Sequence, residues 1–176
     1  MVKAIVVIAP KNFQDYEFLQ TIEELKKAGV EVEIISTIKG KCIGVGGSVV
    51  EAKTISDIKT NEFDSLVFID GSGTPVVRAD KKMIALAEKF FMDGKIIGAI
   101  CFAPTILAKA GILKGKQATV WIGFDPEYSK TTDYVLREAG AILMNLPVVE
   151  DKTIITANGP PAARAFGKKL AEKIKR

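Results

Sequence analysis

The fold is decided by residues 96–104, which read IIGAICFAP. The first five residues form a run without charge on either face, typical of a central parallel strand. Cys101 follows this strand directly, and Pro104 stands where the first turn of a helix is expected. A strand that runs through one nucleophilic side chain into a helix has the arrangement of a nucleophile elbow. The segment therefore predicts a parallel α/β sheet with Cys101 at the carboxyl end of a strand.

The order of helix, glycine and strand repeats outward from this segment. Four glycines, at positions 29, 94, 111 and 140, each follow a helix-like segment and are expected as C-terminal caps. Residues 41–53 place three glycines between short β-branched pieces and predict a hairpin flap. The fold class predicted is α/β: one doubly wound domain over 1–176, mostly parallel, with helices on both faces, of the flavodoxin-like or class I glutamine amidotransferase-like kind.

The expected elements follow from this pattern. Besides the flap, strands are predicted at 4–9, 30–35, 65–69, 95–100, 117–120, 141–144 and 153–156. The first helix is expected to bury Phe18, Ile22 and Leu25, which are spaced i, i+4, i+7. Further helices are predicted at 80–93, 102–110, 131–139 and 161–175.

The composition excludes several classes of protein. Apolar residues make up 48% and charged residues 26%, as in ordinary globular proteins. The apolar runs are far shorter than the roughly 18 residues of a membrane helix. The net charge of +4 arises within the last nine residues, which include Arg176, and this favours a basic helix end over a nucleic-acid-binding face. We expect a cytoplasmic protein with no membrane or nucleic-acid partner.

The chain contains no histidine and two cysteines, Cys42 and Cys101. This excludes a Ser-His-Asp triad, an in-chain Cys-His dyad and any histidine-ligated metal site. The glycines at 44–47 resemble a phosphate loop but lack the Lys-Ser/Thr that follows one. No cofactor and no metal are predicted.

Three predicted strand ends carry candidate chemistry. Helix N–H groups behind Cys101 would favour a thiolate, although a cysteine there could also be a small core residue. The glycine-rich segment 70–74 could turn backbone N–H groups toward a neighbouring site, or be a simple turn. In the loop 9–17, Asn12 or Asp15 could cap the helix, while a polar side chain could reach Cys101.

Together these segments resemble the ThiJ/PfpI superfamily, which contains PfpI-type intracellular peptidases and the Parkinson's-associated deglycase. The AIC-x-x-P elbow at 99–104 is the most specific motif. Residues 13–17, FQDYE, are similar to the family's FED-x-E loop, and 69–72, IDGS, occupy the place of its Pro-Gly-Gly loop. Residues 158–161, NGPP, are similar to its last strand-to-helix turn.

The resemblance implies roles for particular residues. It makes Cys101 the nucleophile, puts Gln14 at the position of the helper glutamate, and assigns the oxyanion-binding backbone groups to Ser72 and Phe102. The remaining pocket residues it implies are Gly71, Trp121 and Glu17.

These assignments leave proton transfer without an obvious residue. Gln14 can donate a hydrogen bond to a thiolate but cannot carry a proton. The acid needed to protonate a leaving amine would then come from Glu17, Asp15, Asp70 or a residue of another subunit. The aromatic rings of Phe102 and Trp121 should make the pocket apolar, which tends to raise the pKa of a thiol.

Three functions remain open. The first is a cysteine-centred hydrolase, of the intracellular-peptidase or the glyoxalase and deglycase type, acting on a peptide or a small carbonyl compound. The second is a redox or stress sensor in which Cys101 is oxidised without turnover. The third is a non-catalytic binding member. The resemblance also implies a homo-oligomer, a dimer or larger.

Overall fold

The computed structural model describes residues 1–175, so Arg176 of the basic terminal run lies outside it. The strands are β1 Lys3–Ile8, β2 Lys11–Phe13, β3 Glu31–Ile35, β4 Gly40–Gly44, β5 Val49–Ala52, β6 Ser65–Ile69, β7 Ile96–Ile100, β8 Gln117–Ala118, β9 Phe124–Asp125, β10 Lys130–Thr131, β11 Ile142–Leu143, β12 Val148–Asp151 and β13 Ile154–Ala157. The helices are α1 Asp15–Lys27, α2 Thr74–Ala79, α3 Lys81–Met92, α4 Pro104–Lys109, α5 Thr132–Glu138 and α6 Ala163–Ile174. Short 3₁₀ turns occupy Ile55–Asp57, Thr60–Glu62 and Pro160–Ala162.

A six-stranded sheet in the order β12-β13-β7-β6-β1-β3 forms the centre of the molecule. The edge strand β12 is antiparallel to β13, and the other pairs are parallel. One core packs α3 and α4 against one face, and a second core packs α1 and α6 against the other. The predicted doubly wound α/β fold is confirmed, and it brings the carboxyl ends of β1, β6 and β7 to one edge.

The helices pack as their apolar spacing predicts. In α1, Phe18, Ile22 and Leu25 are buried, and in α6 the buried set includes Phe166 and Leu170. Gly98 in β7 allows α6 to approach closely, because a Cβ atom there would lie 2.8 Å from Leu170 Cδ2. Strand β7, which leads to Cys101, is therefore held between two packed layers.

Several elements differ from the sequence prediction. The flap is confirmed as a β4–β5 hairpin joined by β2. The strands expected at 117–120 and 141–144 shrink to two residues each, β8 and β11, which pair with each other. Helix α2, edge strand β12 and the β9–β10 hairpin were not predicted, because these pieces are too short for a periodic pattern to show. Within residues 1–175 no helix has the length and apolar character needed to cross a membrane.

Candidate active site

Cys101 lies on a sharp turn between β7 and α4. Its φ of 65° is left-handed, a conformation that costs a residue with a side chain about 1–2 kcal/mol. Neighbouring strands hold the turn on both sides, since the Cys101 N–H donates to the Ala157 carbonyl and the Cys101 carbonyl accepts from the Trp121 N–H, both at 3.0 Å. The side chain is only 6% exposed. The structure thus has the geometry of a nucleophile elbow.

The carboxyl of Glu17, in the first turn of α1, is completely buried beside this thiol. Its pKa is raised to about 8: burial is the main cause, the charge of Asp70 adds to it, and hydrogen bonding with the Cys101 thiol acts in the opposite direction. Neither carboxyl oxygen completes a hydrogen bond of standard geometry within the described residues. Glu17 is therefore mostly protonated at neutral pH and has no structural partner other than the thiol.

The thiol of Cys101 is also held in its neutral form. Burial raises its pKa, and the negative charge that Glu17 can carry raises it further, whereas the N–H of Phe102 lowers it. The helix behind the elbow was expected to lower the pKa of this thiol, but burial outweighs that effect. Since Cys101 and Glu17 interact this strongly, their first proton is lost from the pair as a unit.

Asp70 is a second buried carboxyl at the same edge. It follows β6, whose last residue Ile69 pairs with Ile100, so Asp70 lies on the strand next to Cys101. Its Oδ1 accepts a hydrogen bond from the Gly71 N–H at 3.1 Å. Burial raises the pKa of Asp70 to about 8. Two neutral carboxyl groups therefore stand near the thiol.

The residues predicted to bind an oxyanion come together. Gly71, Ser72 and Phe102 line one cavity of about 130 Å³. The Gly71 N–H is engaged by Asp70, and the Gly73 N–H by the Asn12 carbonyl at 3.3 Å. Within residues 1–175 the N–H groups of Ser72 and Phe102 donate to no carbonyl, and the Phe102 N–H faces the sulfur of Cys101.

The structure does not place Gln14 where the prediction put it. Gln14 is the N-cap of α1, and its Oε1 accepts from the Glu17 N–H at 3.0 Å. The capping bond keeps the amide at the helix end, so the carboxyl that meets the thiol belongs to Glu17, three residues later. Proton transfer at the elbow therefore has a residue to carry it, contrary to the expectation drawn from Gln14.

Two other residues also differ from expectation. Asp15 neither caps the helix nor reaches the thiol, because its carboxylate accepts from the N–H groups of Gly46 and Ser48 and so ties the flap to α1. Trp121 binds the elbow through its backbone N–H, which donates to the Cys101 carbonyl. Its ring packs against Gly159 and lines a separate open groove of about 770 Å³.

Sequence reasoning missed a buried ionic cluster beside the cavity. Arg78 in α2 is completely buried and forms ion pairs with Asp125 and Glu127 in the β9–β10 hairpin. These partners lie 47 and 49 residues away along the chain, so no local spacing indicates them. No group of three or more acidic or cysteine side chains in residues 1–175 could hold a metal ion.

Comparison with known proteins agrees with this geometry. A family model described as DJ-1/PfpI matches residues 2–173. The chain belongs to the DJ-1/PfpI family. This confirms the resemblance drawn from the elbow and loop motifs.

Other members of the DJ-1/PfpI family are similar over nearly the whole chain. An uncharacterized protein of Methanocaldococcus jannaschii is 37% identical, covering 99% of this chain and 83% of the other. A protein of Pyrococcus furiosus named deglycase PfpI is 30% identical, covering 97% and 99%. The crystal structure of a ThiJ/PfpI domain protein from Brachyspira murdochii superposes with a TM-score of 0.89 at 26% identity, covering 98% and 96%.

Proposed function

We propose that this protein is a cysteine-dependent hydrolase of the deglycase or glyoxalase type that acts on small carbonyl compounds. The observation that carries the proposal is the buried Glu17 carboxyl beside the thiol of the Cys101 elbow. Ser72 and Phe102, which line the neighbouring cavity and whose N–H groups donate to no carbonyl of residues 1–175, support it. A relative that is 30% identical bears the name deglycase.

The first chemical step transfers one proton and forms one bond. The Cys101 thiol gives its proton to the Glu17 carboxylate while the sulfur attacks the aldehyde carbon. The electron pair of the carbonyl π bond moves to the oxygen, which binds to the N–H groups of Ser72 and Phe102. The product is a hemithioacetal anion and a protonated Glu17. That proton can then return to the oxygen or pass to a leaving amine, so Glu17 acts first as base and then as acid.

The pKa of about 8 suits Glu17 to this exchange, because a group that titrates near the working pH both accepts and releases protons readily. Activity should therefore rise as the pH increases through about 8, since the carboxylate form is the one that accepts the thiol proton.

The size of the site favours a small carbonyl compound over a peptide. The cavity lined by Ser72 and Phe102 has a volume of about 130 Å³, which is below the range of roughly 300–1,000 Å³ of pockets for drug-sized ligands. The raised pKa of the Cys101 thiol argues against the redox-sensing alternative, because oxidation by peroxide follows thiolate content.

The test is consumption of methylglyoxal by the purified protein between about pH 6 and 9.5. We expect turnover in the wild type, none in Cys101→Ala, and near-wild-type turnover in Cys42→Ala, whose buried thiol lies in the flap. Unchanged turnover in Cys101→Ala, or no turnover in the wild type, would contradict the proposal.

We further propose that the protein works in the cytoplasm as a homo-oligomer, a dimer or larger. Support comes from exposed apolar side chains in and beside the β9–β10 hairpin and α5, namely Trp121, Ile122, Phe124 and Tyr134. Light scattering on the purified protein tests the assembly, and a monomeric mass at every concentration measured would rule it out.

A further inference from the structure

The Arg78 side chain, in α2, binds two other segments at once: helix α4 and the β9–β10 hairpin. Its Nη1 donates to Thr105 Oγ1 at 2.8 Å and to Asp125 Oδ2 at 2.6 Å, and its Nη2 donates to Asp125 Oδ1 at 3.0 Å. Glu127 Oε2 accepts from Nη2 at 2.6 Å and from Nε at 3.2 Å. A guanidinium has five N–H donors, so every donor of Arg78 is used.

One of these bonds leads directly to the elbow. Thr105 Oγ1 accepts from Arg78 and donates to the Phe102 carbonyl at 2.7 Å. Residue 102 therefore has its carbonyl fixed by this chain of bonds while its N–H faces the sulfur of Cys101. A shift of Arg78 would be transmitted through a single hydroxyl to the residue whose N–H faces the sulfur.

The other half of the oxyanion site is attached to the same side chain through α2. The helix begins at Thr74, whose Oγ1 donates to the Gly71 carbonyl at 2.9 Å, and Arg78 lies one turn further along. Asp125, which Arg78 holds by two bonds, also lines the cavity together with Ser72 and Phe102. Below the guanidinium, the ring of Tyr128 lies 4.5 Å away and closes the cluster.

We propose that Arg78 is a positioning residue. It fixes the positions of the oxyanion-binding N–H groups of Phe102 and Ser72 relative to each other and to the wall of the cavity. This rests on the proposed function for its catalytic consequence. The planar fork of arginine is what the arrangement requires, because the ammonium of lysine is a point charge and cannot meet a hydroxyl and two carboxylates in fixed directions.

The experiment breaks the link to the elbow while keeping the ion pairs. Thr105→Val removes the hydroxyl between Arg78 and Phe102 at nearly the same volume, and Thr105→Ser keeps the hydroxyl. Thr21→Val is the matched control, since Thr21 is also buried and its hydroxyl has no partner in residues 1–175. For each variant the amide hydrogen exchange of Phe102 is measured by NMR, and kcat and KM are measured with methylglyoxal.

We expect Thr105→Val to accelerate exchange of the Phe102 amide several-fold and to lower kcat about tenfold, less than the roughly 10²–10³ lost when an oxyanion donor is deleted. KM and the pH profile should stay as in the wild type, because Glu17 and Cys101 are untouched. Thr105→Ser should restore both readouts. A general loss of packing would instead move KM and affect Thr21→Val similarly.

The two readouts separate failure of the inference from failure of the proposed function. Unchanged exchange in Thr105→Val overturns the positioning role whether or not the protein is active. Faster exchange with an unchanged kcat overturns it as well. Faster exchange in a protein whose wild type shows no turnover supports the positioning role and removes the proposed function.

Discussion

Two buried polar regions, one around Arg78 and one around Cys101, are built in opposite ways. Around Arg78 every charged group has a partner, and all five guanidinium donors are engaged. Around Cys101 the Glu17 carboxyl is buried without a completed hydrogen bond to any residue of the described chain. In the first region the charged side chains supply one another's hydrogen-bond partners. In the second, the Glu17 carboxyl lacks such a partner and so can exchange a proton with the thiol.

The difference shows how burial acts on charge. Arg78 keeps its charge in the interior because Asp125 and Glu127 compensate it, as buried ions require. Glu17 has no such partner, so burial favours its neutral form and raises its pKa to about 8. The paired cluster is suited to fixing the positions of neighbouring groups, and the unpaired carboxyl is suited to proton transfer.

The largest expected effect is on turnover in Glu17→Gln. The amide keeps the shape of the side chain but cannot accept the thiol proton, so kcat should fall by about 10²–10⁴. Glu24→Gln is the control, since Glu24 is buried on the same helix but pairs with Arg164 and Lys27. Steady-state kinetics with methylglyoxal measure both, and equal losses in the two variants would remove the distinction between the regions.

Arg78→Met should cause the largest loss of stability. It leaves the Asp125 carboxylate buried without its cation, which should lower the free energy of unfolding by about 3–5 kcal/mol. The comparison is Arg164→Met, which breaks a pair between Glu24 and a side chain that is 57% exposed and should cost about 1 kcal/mol or less. Urea denaturation gives both values. A similar loss in both variants would mean that the buried Arg78 cluster contributes no more to stability than the pair formed by the exposed Arg164.

The pH dependence of stability should distinguish the unpaired carboxyl. The folded protein holds the Glu17 proton up to about pH 8, whereas the unfolded chain loses it near the ordinary value of 4.5, so the folded state loses stability as the pH rises between these values. Glu17→Gln removes this loss. We expect it to stabilise the fold by on the order of 2–4 kcal/mol at pH 9 and to have little effect at pH 4.

The control for that measurement is Glu23→Gln, on the exposed face of the same helix. Lys27 lowers the pKa of Glu23 by hydrogen bonding, so this variant should lose a little stability above pH 5 rather than gain any. If the gain in Glu17→Gln were the same at pH 4 and pH 9, titration of Glu17 would not be its source.

The smallest expected effect concerns the cap. Gln14→Ala removes the bond to the Glu17 N–H and should lower the free energy of unfolding by about 0.5–1 kcal/mol, with a change in kcat of less than about threefold. Thermal denaturation and kinetics together check this. A loss of turnover as large as that in Glu17→Gln would return Gln14 to the role predicted from sequence.

The elbow and the sheet could be predicted from sequence because both are local patterns. The apolar run 96–100 ending in Cys101 predicts a buried strand and a turn without any distant information. Glu17 was named from the sequence as a pocket residue and as one of several candidate acids, and helical spacing supports its burial. In α1 the buried Thr21 lies one turn after Glu17, and Phe18 starts the buried stripe, so helical spacing already places residue 17 toward the interior.

The Arg78 cluster could not be predicted in this way. The strands of its hairpin, β9 and β10, have two residues each, and an arginine nine residues after the end of β6 is expected to be a surface residue of an ordinary helix. Its burial depends on two acids that the chain supplies nearly 50 residues later. Side-chain pairing over that distance has no signal in spacing or composition.

The left-handed backbone at Cys101 has a consequence for how this sequence can change over generations. Glycine adopts that conformation without strain, and replacing a strained residue by glycine at such a position relieves the local cost. A lineage that no longer used the thiol would gain stability by a drift to glycine. Cysteine at the elbow therefore lowers the stability of the fold, whether or not a substrate is present.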